Sequence, residues 1–239
     1  MTQLNNEFSD KFDVLINGYI NKIPLGIDTS AVNLAFDEYE KSLFLTKAQT
    51  EVVVNLYNGR NAYGLSFETT EEARRYLESL VKTKIYQEED KVAGDKTSKL
   101  SVLYELPEDI AFITMEQVSY NDEQLGCYNG SSATVYPVTQ DEYGKIKNNP
   151  FRGPTRYKAL RLDPGSNRVE IISKYNVGEY LIKYLSKPTP IILEDLPDNL
   201  TIDNSKEETE CKLNTILHDT ILDRAVQLAL QSRGISVDK

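Results

Sequence analysis

The spacing of apolar residues in the first part of the chain is typical of helices. Between Phe8 and Ile23, apolar side chains recur every three or four positions and form one stripe of an amphipathic helix. Two more helices are predicted to begin at the capping-box sequences Asp37-Glu-Tyr-Glu and Thr69-Thr-Glu-Glu, whose side chains would bind free amides of the first turn. Asn58-Gly59 is predicted to end the first of these two. We therefore expect residues 1–98 to be helical.

The apolar period shortens to two after a polar stretch, Gln87–Ser98, which is predicted to be an exposed linker. Short segments rich in Val, Ile, Thr and Tyr then alternate with turn residues and predict strands. The predicted strands are Leu100–Leu106, Ala111–Tyr120, Ala133–Val138, Tyr157–Asp163, Arg168–Ser173 and Glu179–Tyr184. Pro164–Asn167 is predicted to be a hairpin turn, and residues 139–147 a short helix.

The end of the chain returns to the helical period. Ser205-Lys-Glu-Glu is a third capping-box sequence, and an apolar stripe follows from Leu213 to Leu228. The predicted fold class is therefore α+β. An N-terminal helical bundle, residues 1–98, is completed by a C-terminal helix within residues 205–239, with an antiparallel β domain inserted at residues 99–204.

The composition is that of an ordinary globular protein with an excess of acid. The chain has 239 residues, of which 40% are hydrophobic and 27% charged, and its formal net charge is −10. That charge argues against general binding to nucleic acid, because the phosphate backbone would be repelled. No apolar run of about 18 residues predicts a membrane span, and the N-terminus lacks the pattern of a secretory signal. Cys127 and Cys211 are expected to be reduced thiols in an intracellular protein.

The residues needed for several common reaction types are missing. His218 is the only histidine, so one chain cannot build a zinc site or a catalytic arrangement that needs two imidazoles. Neither of the two common glycine-rich phosphate-binding motifs is present. A catalytic pair of carboxylates among the 37 acidic residues remains an alternative. No catalytic residue, metal ligand or cofactor is assigned.

One segment of this acidic chain is strongly basic. Residues 145–168 carry a local charge of +6, because seven basic residues stand against Asp163 alone. The basic residues are Lys145, Lys147, Arg152, Arg156, Lys158, Arg161 and Arg168. They form either a solvated face of a hairpin or a docking surface for an acidic partner, and a second copy of the same chain would be such a partner.

Several segments resemble a known family. Residues 136–155, which contain Asn148-Asn-Pro-Phe-Arg-Gly-Pro, are similar to the central part of connector (adaptor) ring proteins of tailed bacteriophages, in particular those of crAss-like phages. The other similar segments are residues 37–53, 159–163, 184–193 and 210–226. The central segment is the most specific, because Asn-Asn-Pro-Phe-Arg-x-Pro is not a general helix or strand pattern.

The resemblance implies a structural protein of the virion without catalytic activity. Connector proteins of this kind form a closed ring, usually of twelve copies, beneath the portal. The ring extends the DNA channel, through which genomic DNA passes without sequence-specific binding, and offers a platform to a further tail ring or tail protein. The chain would be made in the host cytoplasm and become part of the virion, without membrane contact.

A ring requires each copy to present two different surfaces that match each other. The segment from Lys147 to Pro154 is expected to be rigid because of its prolines, and it presents Phe151 and Arg152, residue types enriched at interface hot spots. The predicted interface residues are Lys145, Lys147, Asn148, Asn149, Pro150, Phe151, Arg152 and Arg156. Phe151 is alternatively a core anchor. Residues 188–197 are either an arm packed along its own domain or an arm that reaches a neighbouring subunit.

The resemblance also implies that the C-terminal helix and tail contact the portal. The candidate residues are Arg224, Arg233 and Ile235. Two other function classes stay open. One is a virion-associated, carboxylate-based glycan hydrolase that acts as a monomer. The other is a module that binds an acidic ligand through residues 145–168.

Overall fold

The chain forms two compact units in a computed structural model. The helical unit comprises Met1–Leu80 and Pro188–Lys239, and the sheet unit comprises Val81–Lys187. The residues that the structure describes are 2–20, 35–61, 64, 66–147, 149 and 151–235. Helices lie at both ends of the chain with a sheet between them, which confirms the predicted α+β class.

Within the described residues the chain forms five α-helices and seven β-strands. The helices are α1 (Gln3–Ile20), α2 (Glu38–Asn58), α3 (Glu71–Tyr76), α4 (Gln140–Ile146) and α5 (His218–Ser232). The strands are β1 (Val81–Tyr86), β2 (Ser101–Glu105), β3 (Ile110–Tyr120), β4 (Ser132–Pro137), β5 (Lys158–Gly165), β6 (Arg168–Ile172) and β7 (Val177–Ser186). All six predicted strands and the short helix are present within two residues of their predicted bounds. The last part of the predicted first helix, residues 21–23, lies outside the described residues.

The two ends of α2 show which of the predicted capping interactions form. Asp37 accepts a hydrogen bond from the Glu40 amide at 2.7 Å, as the capping box predicts, but the carboxylate of Glu40 binds Arg233 instead of reaching back. Gly59 ends α2 in the left-handed conformation, with φ at 71°, which glycine adopts without strain. In the second predicted box, α3 begins after Thr70, whose side chain makes no capping hydrogen bond.

The core of the helical unit lies between α1, α2 and α5. The predicted stripes of α1 and α5 face this core, whereas on α2 the predicted Leu43 is 45% exposed and Leu45 is buried instead. The fully or nearly buried residues include Phe8, Phe12, Ile16, Leu45, Ala48, Val53, Ile221, Ala225 and Ala229. His218 is buried at the start of α5 with its ring edge-on to Phe8, at 5.1 Å between ring centroids. The single histidine is therefore a packed residue.

The segment that follows the sheet is bound to α2 through its backbone. The hydroxyl of Thr46 accepts from the Ile191 amide at 3.0 Å and donates to the Ile191 carbonyl at 3.2 Å. The hydroxyl of Ser42 accepts from the Leu193 amide at 3.0 Å, and both aliphatic residues are fully buried. This part of residues 188–197 is thus an arm packed along its own domain, and the alternative of an arm that reaches a neighbour is wrong for it.

The C-terminal helix begins later than the third capping-box sequence predicts. The residues from Ser205 up to α5 form turns and isolated β-bridges, with one short 3₁₀ turn directly before His218. The carboxylate of Glu208 accepts hydrogen bonds from the Thr2 amide and, at 2.9 Å, from the Asn5 side chain. These tertiary contacts with the start of the chain take the place of the local cap.

The seven strands form one sheet in the order β1-β7-β3-β4-β5-β6-β2. All pairs are antiparallel except β4 and β5, which run parallel. A parallel pair needs a crossover of about a dozen residues or more, and the segment that carries α4 supplies it. The prediction of an antiparallel domain is therefore wrong for this one pair of strands. The predicted hairpin turn is present, with positive φ at both Ser166 and Asn167, as a two-residue type I′ turn requires.

The first strand of the sheet corrects the prediction that residues 1–98 are helical. Val81–Tyr86 form β1, which pairs with β7 along its whole length. β1 lies at an edge of the sheet, and Tyr86 is its only buried residue. An edge strand with five exposed side chains has no apolar alternation, so the pattern gave no signal.

The polar stretch 87–98, expected to link two domains, lies inside the sheet unit. The buried carboxylate of Glu170 on β6 accepts from the amide and the hydroxyl of Thr97, at 2.6 Å each, and also from Ser101. The segment is therefore an ordered excursion between β1 and β2. The two units divide at Leu80 and Lys187, earlier than the predicted divisions at 98 and 204.

The core of the sheet unit is built largely from tyrosines. The rings of Tyr86, Tyr104 and Tyr180 lie within 5.2–5.5 Å of one another, and all three side chains are buried. Tyr86 on β1 donates to the carbonyl of Glu105 on β2 at 2.8 Å, although these strands are at opposite ends of the sheet order. The sheet is therefore curled, so that its two edges approach over a shared core.

Candidate interface surface

The interface loop is positioned by α4. The hydroxyl of Thr139 accepts from the Glu142 amide at 3.2 Å and caps the helix. Tyr143 and Ile146 lie on the buried side of α4 and pack against Leu160 of β5 and its apolar neighbours. The start of the loop is thus fixed by a packed helix on the face of the sheet.

Asn149 closes the loop after α4. Its side-chain oxygen accepts from the Phe151 amide at 3.0 Å, an Asx turn, and its carbonyl accepts from the Gly153 amide at 3.0 Å. A Cβ at Gly153 would lie 3.2 Å from that carbonyl oxygen, so the turn is tight enough to favour glycine. Of the predicted interface residues, Asn148 and Pro150 lie outside the described residues.

Phe151 is the most exposed large apolar side chain of the described residues, at 93% of its full accessibility. The alternative that it anchors a core is therefore wrong for the single chain. A bulky phenyl group held in water on a hydrogen-bonded turn gains nothing for the fold of its own chain. Phe151 is therefore available for a contact with another molecule, as the predicted interface requires.

A second feature lies next to the loop in sequence. The guanidinium of Arg156 lies 4.0 Å from the ring centroid of Tyr128 and 4.4 Å from that of Tyr157. Both tyrosines are more than half exposed. The arginine is thus held against two aromatic faces by cation–π attraction, which orients its charge while its side chain is partly buried.

Lys158 links the loop to a further aromatic side chain. Its ammonium donates to the carbonyl of Arg152 at 3.3 Å and lies 5.3 Å from the ring centroid of Tyr136, which is half exposed. We name these residues, together with the Arg156 group that follows the loop in sequence, the aromatic–cationic patch. Its members are Tyr128, Tyr136, Phe151, Arg152, Arg156, Tyr157 and Lys158. Aromatic and arginine side chains are the types enriched at the centres of protein–protein interfaces.

The other basic residues of the 145–168 segment divide between surface and core. Lys145 and Lys147 are exposed at the end of α4. Arg161 points into the sheet unit, where it binds Glu116 at 2.7 Å and Asp163 at 3.1 Å. Burial works to lower the pKa of Arg161, but the charges of Glu116 and Asp163 outweigh it and raise the pKa. Part of the predicted +6 charge is thus neutralised inside the chain.

The three tyrosines of the patch, Tyr128, Tyr136 and Tyr157, are not among the predicted interface residues, although each is about half exposed or more. The run Arg156-Tyr-Lys, a ring between two cations, was the available signal for a surface role. Tyr128 comes close only because the segment between β3 and β4 folds back, and no local pattern reports that.

The three predicted portal-contact residues lie at the C-terminal helix, where both arginines have partners in their own unit. Arg224 binds Glu51 at 2.6 Å, and Arg233 binds Glu40 at 3.1 Å with its guanidinium 5.0 Å from the Phe36 ring. The Ile235 amide donates to the Leu230 carbonyl at 3.0 Å and ends the helix. Portal contact through these residues stays a prediction.

The described carboxylates that are buried have structural partners. Glu116 accepts from Arg161 and from the Tyr180 hydroxyl, and burial together with the Glu116 charge raises the pKa of Tyr180. Glu170 is used by Thr97 and its neighbours, as described above. Among residues 2–20, 35–61 and the remaining described segments, no group of His, Cys, Asp and Glu has the arrangement of a metal site. No helix in the described part of the chain is long and apolar enough to cross a membrane.

Comparison with known proteins identifies the family. The family described as phage tail ring protein 3/4 matches residues 1–239, the whole chain. The chain is 50% identical over 231 residues to "Ring protein 3" of Bacteroides phage crAss001, which covers 96% of each chain. It is 30% identical over 236 residues to "Ring protein 4/5" of the same phage, which covers 94% of this chain and 91% of the relative. The chain thus belongs to the tail ring protein 3/4 family of crAss-like phages and is a structural protein of the phage tail.

Proposed function

We propose that this chain is the repeating subunit of a closed ring beneath the portal. Twelve copies would surround the path of the genomic DNA, extend the channel, and link the portal to the next ring or tail protein. The support from relatives is their naming as ring proteins 3 and 4/5 of one phage, each matched over nearly its full length. Two similar proteins of one phage that both carry this name favour stacked rings of related subunits.

The observation that carries the proposal is the exposure of Phe151 within an ordered, oriented surface. Phe151 is 93% exposed, and Arg156, five residues further along the chain, is held against Tyr128 and Tyr157. A protein that acts as a monomer gains nothing from this arrangement, whereas a subunit gains an interface with an apolar knob and oriented cations. The acidic chain, with net charge −10, also supports the DNA path, because DNA that slides must not be gripped.

The glycan hydrolase has weaker support. It requires two carboxylates that flank a substrate, about 5–9.5 Å apart, in an accessible cleft. The buried carboxylates of the described residues, Glu116 and Glu170, are instead saturated by hydrogen bonds within the sheet unit. Assembly is therefore the function that the geometry supports best.

The portal position is tested by reconstitution with the portal protein of the same phage. The two purified proteins are mixed and imaged by electron microscopy, with the portal alone as the control. We expect a second ring on the axis of the portal, with a central hole wide enough for duplex DNA. Portal particles that stay unchanged at saturating concentrations of the chain would contradict the connector position, while a ring of the chain by itself would still support the ring.

A further inference from the structure

A groove between α1 and α5 in the helical unit has an apolar floor, and none of the described residues fills it. Its floor is formed by Val14, Leu15 and Leu222, and its volume is about 310 Å³. Val14 is 69% exposed, so the groove is open to solvent. An apolar cavity of about 150 Å³ is enough to hold benzene, so this groove has room for one phenyl ring.

The rim of this groove is acidic. Asp10, Asp219 and Asp223 line it, and the only basic residue on the rim, Lys11, is bound to Glu7 at 2.8 Å and lies 3.7 Å from Asp219. Asp219 and Asp223 are one helical turn apart on α5, where like charges repel. Partial burial, and then the charge of Asp219, raises the pKa of Asp223. A cation supplied from outside would relieve this repulsion.

Two other concavities among the described residues lack this combination. A groove of about 320 Å³ near the end of α2 has one arginine, Arg60, and one glutamate, Glu72, on its rim and thus no charge preference. A concavity of about 550 Å³ in the sheet unit is lined mainly by polar residues such as Asn121 and Asn129. An apolar knob with a cation beside it fits the α1–α5 groove better than either.

We propose that Phe151 of one copy inserts into the α1–α5 groove of the neighbouring copy and that Arg152 of the same loop binds Asp219 and Asp223 there. The knob belongs to the sheet unit and the groove to the helical unit, so the contact is heterologous, head to tail. Contacts of this kind close into a ring when the rotation between copies divides the circle. The inference rests on the proposed ring and names the two surfaces that build it.

The electrostatic part of the contact starts from available groups. The only described ion pair of Arg152 is with Glu142 at 3.6 Å, and both side chains are about half exposed or more. Such a pair is worth about 0–1 kcal/mol, so exchanging it for two carboxylates costs little. Lys145 and Lys147, both exposed at the end of α4, add positive charge near the loop.

The test uses charge reversal on each side of the contact. Arg152→Glu and Asp223→Arg are purified separately, and each is expected to lose ring formation by native mass spectrometry, because each places like charges together. An equimolar mixture should regain rings with strictly alternating subunits and an even copy number. In that mixture the Glu of one variant meets the Arg of the other, and the remaining contacts are wild type. Asp198→Arg, an exposed change outside the groove, is the matched control and should assemble normally.

The outcomes separate the inference from the function on which it rests. Circular dichroism and thermal unfolding establish that each variant is folded before assembly is scored. The pairing would be overturned if both single variants still formed rings as the wild type does. It would also be overturned if the single variants failed to form rings and mixing did not rescue them. In either case the proposed ring of the wild-type chain would stand. A wild-type chain that stays a monomer at every concentration would overturn both proposals.

Discussion

At the scale of single residues, the loop after α4 separates the needs of the fold from those of assembly. Its hydrogen bonds come from Asn149 and Gly153, whereas Phe151 contributes no burial to its own chain. The sequence predicts an interface role for this loop, because phenylalanine beside arginine on a proline-containing segment is typical of an interface. The exposure of Phe151 was not predictable, because the same sequence is equally compatible with a core anchor.

Phe151→Ala should therefore leave the chain folded and remove assembly. We expect a change of less than about 0.5 kcal/mol in the free energy of unfolding, as for other exposed positions. Ring formation, followed by mass photometry, should fall at least tenfold in apparent affinity. Leu100→Ala, a change at another exposed apolar side chain of the sheet unit, is the control and should assemble as wild type. A large loss of stability in Phe151→Ala would show that the phenyl group of Phe151 contributes to the core of its own chain.

Glu116 has the opposite role, because it is buried with Arg161 and the Tyr180 hydroxyl. Removing Glu116 leaves the largely buried Arg161 with the exposed Asp163 as its remaining described partner, and breaking a buried pair typically costs about 3–5 kcal/mol. Glu116→Ala should lower the free energy of unfolding by about this amount, measured by urea titration of the monomer. Glu123→Ala is the control at a surface position and should change it little. An equal, small effect of both substitutions would contradict the role of Glu116 in the core.

At the scale of elements, prediction succeeded where an element buries one face and failed where it does not. Both α1 and α5 bury a clear stripe, and the strands around the tyrosine core alternate, so the sequence pattern indicated them. By contrast, β1 exposes five of six residues and α5 begins at His218 rather than at Ser205. In both cases contacts from distant parts of the chain decide the structure, and local patterns do not contain them.

Lys41 connects α1 to α2. It is buried, and its ammonium donates to Ser9 at 3.0 Å, Asp13 at 2.8 Å and Glu38 at 3.0 Å. Lys41→Met should lower the free energy of unfolding by about 1–3 kcal/mol at neutral pH, since Ser9 and Asp13 lose this donor and Glu38 keeps only the Ser9 hydroxyl. Lys11→Met, which removes an exposed pair on the same helix as Ser9, should cost less than about 1 kcal/mol.

The same residue has a defined pH dependence. Burial works to lower the pKa of Lys41, but the hydrogen bonds with Asp13 and Glu38 outweigh it, so the pKa lies above its ordinary value of 10.5. The folded chain thus holds this proton more tightly, and the stabilisation is complete below pH 10.5 and is lost as pH rises above it. The stability difference between wild type and Lys41→Met should shrink in that alkaline range. A difference that stays constant there would contradict the ion-pair explanation.

The charge of Asp223 on α5 is expected to strengthen assembly and to lower the stability of the single chain. Because its pKa is raised, the folded state disfavours its charge, and the resulting loss of stability develops as pH rises above the ordinary aspartate value of 3.8. Asp223→Asn should stabilise the monomer by a few tenths of a kcal/mol at neutral pH, as expected when an exposed like-charge pair is removed. Ring formation should weaken in the same variant. A variant that is less stable and assembles better would reverse this expectation.

At the scale of the whole molecule, the charge distribution supports the proposed self-association of a chain of net charge −10. The aromatic–cationic patch is basic, whereas the rim of the α1–α5 groove and the chain as a whole are acidic. Unlike surfaces attract and like surfaces repel, so head-to-tail contacts are favoured over symmetric ones. Composition gave the sign of the net charge, but only the fold shows which basic residues remain available, because Arg161 is turned inward.

Assembly should therefore depend on ionic strength. Raising NaCl from about 0.15 M to 1 M shortens the screening length from about 8 Å to 3 Å. We expect the apparent association constant of the wild-type chain to fall at least tenfold over this range, measured by mass photometry. Assembly of the wild type that strengthens with NaCl would indicate an interface dominated by apolar contacts.

The oligomeric state of the purified wild-type chain is the most direct test of the whole account. Native mass spectrometry combined with electron microscopy should show one closed species, a whole-number multiple of 27.1 kDa with a central hole and the same copy number throughout. Twelve copies are predicted. A species that stays at 27.1 kDa at high concentration, or open chains of indefinite length without closure, would contradict the claim that the protein acts by forming a ring.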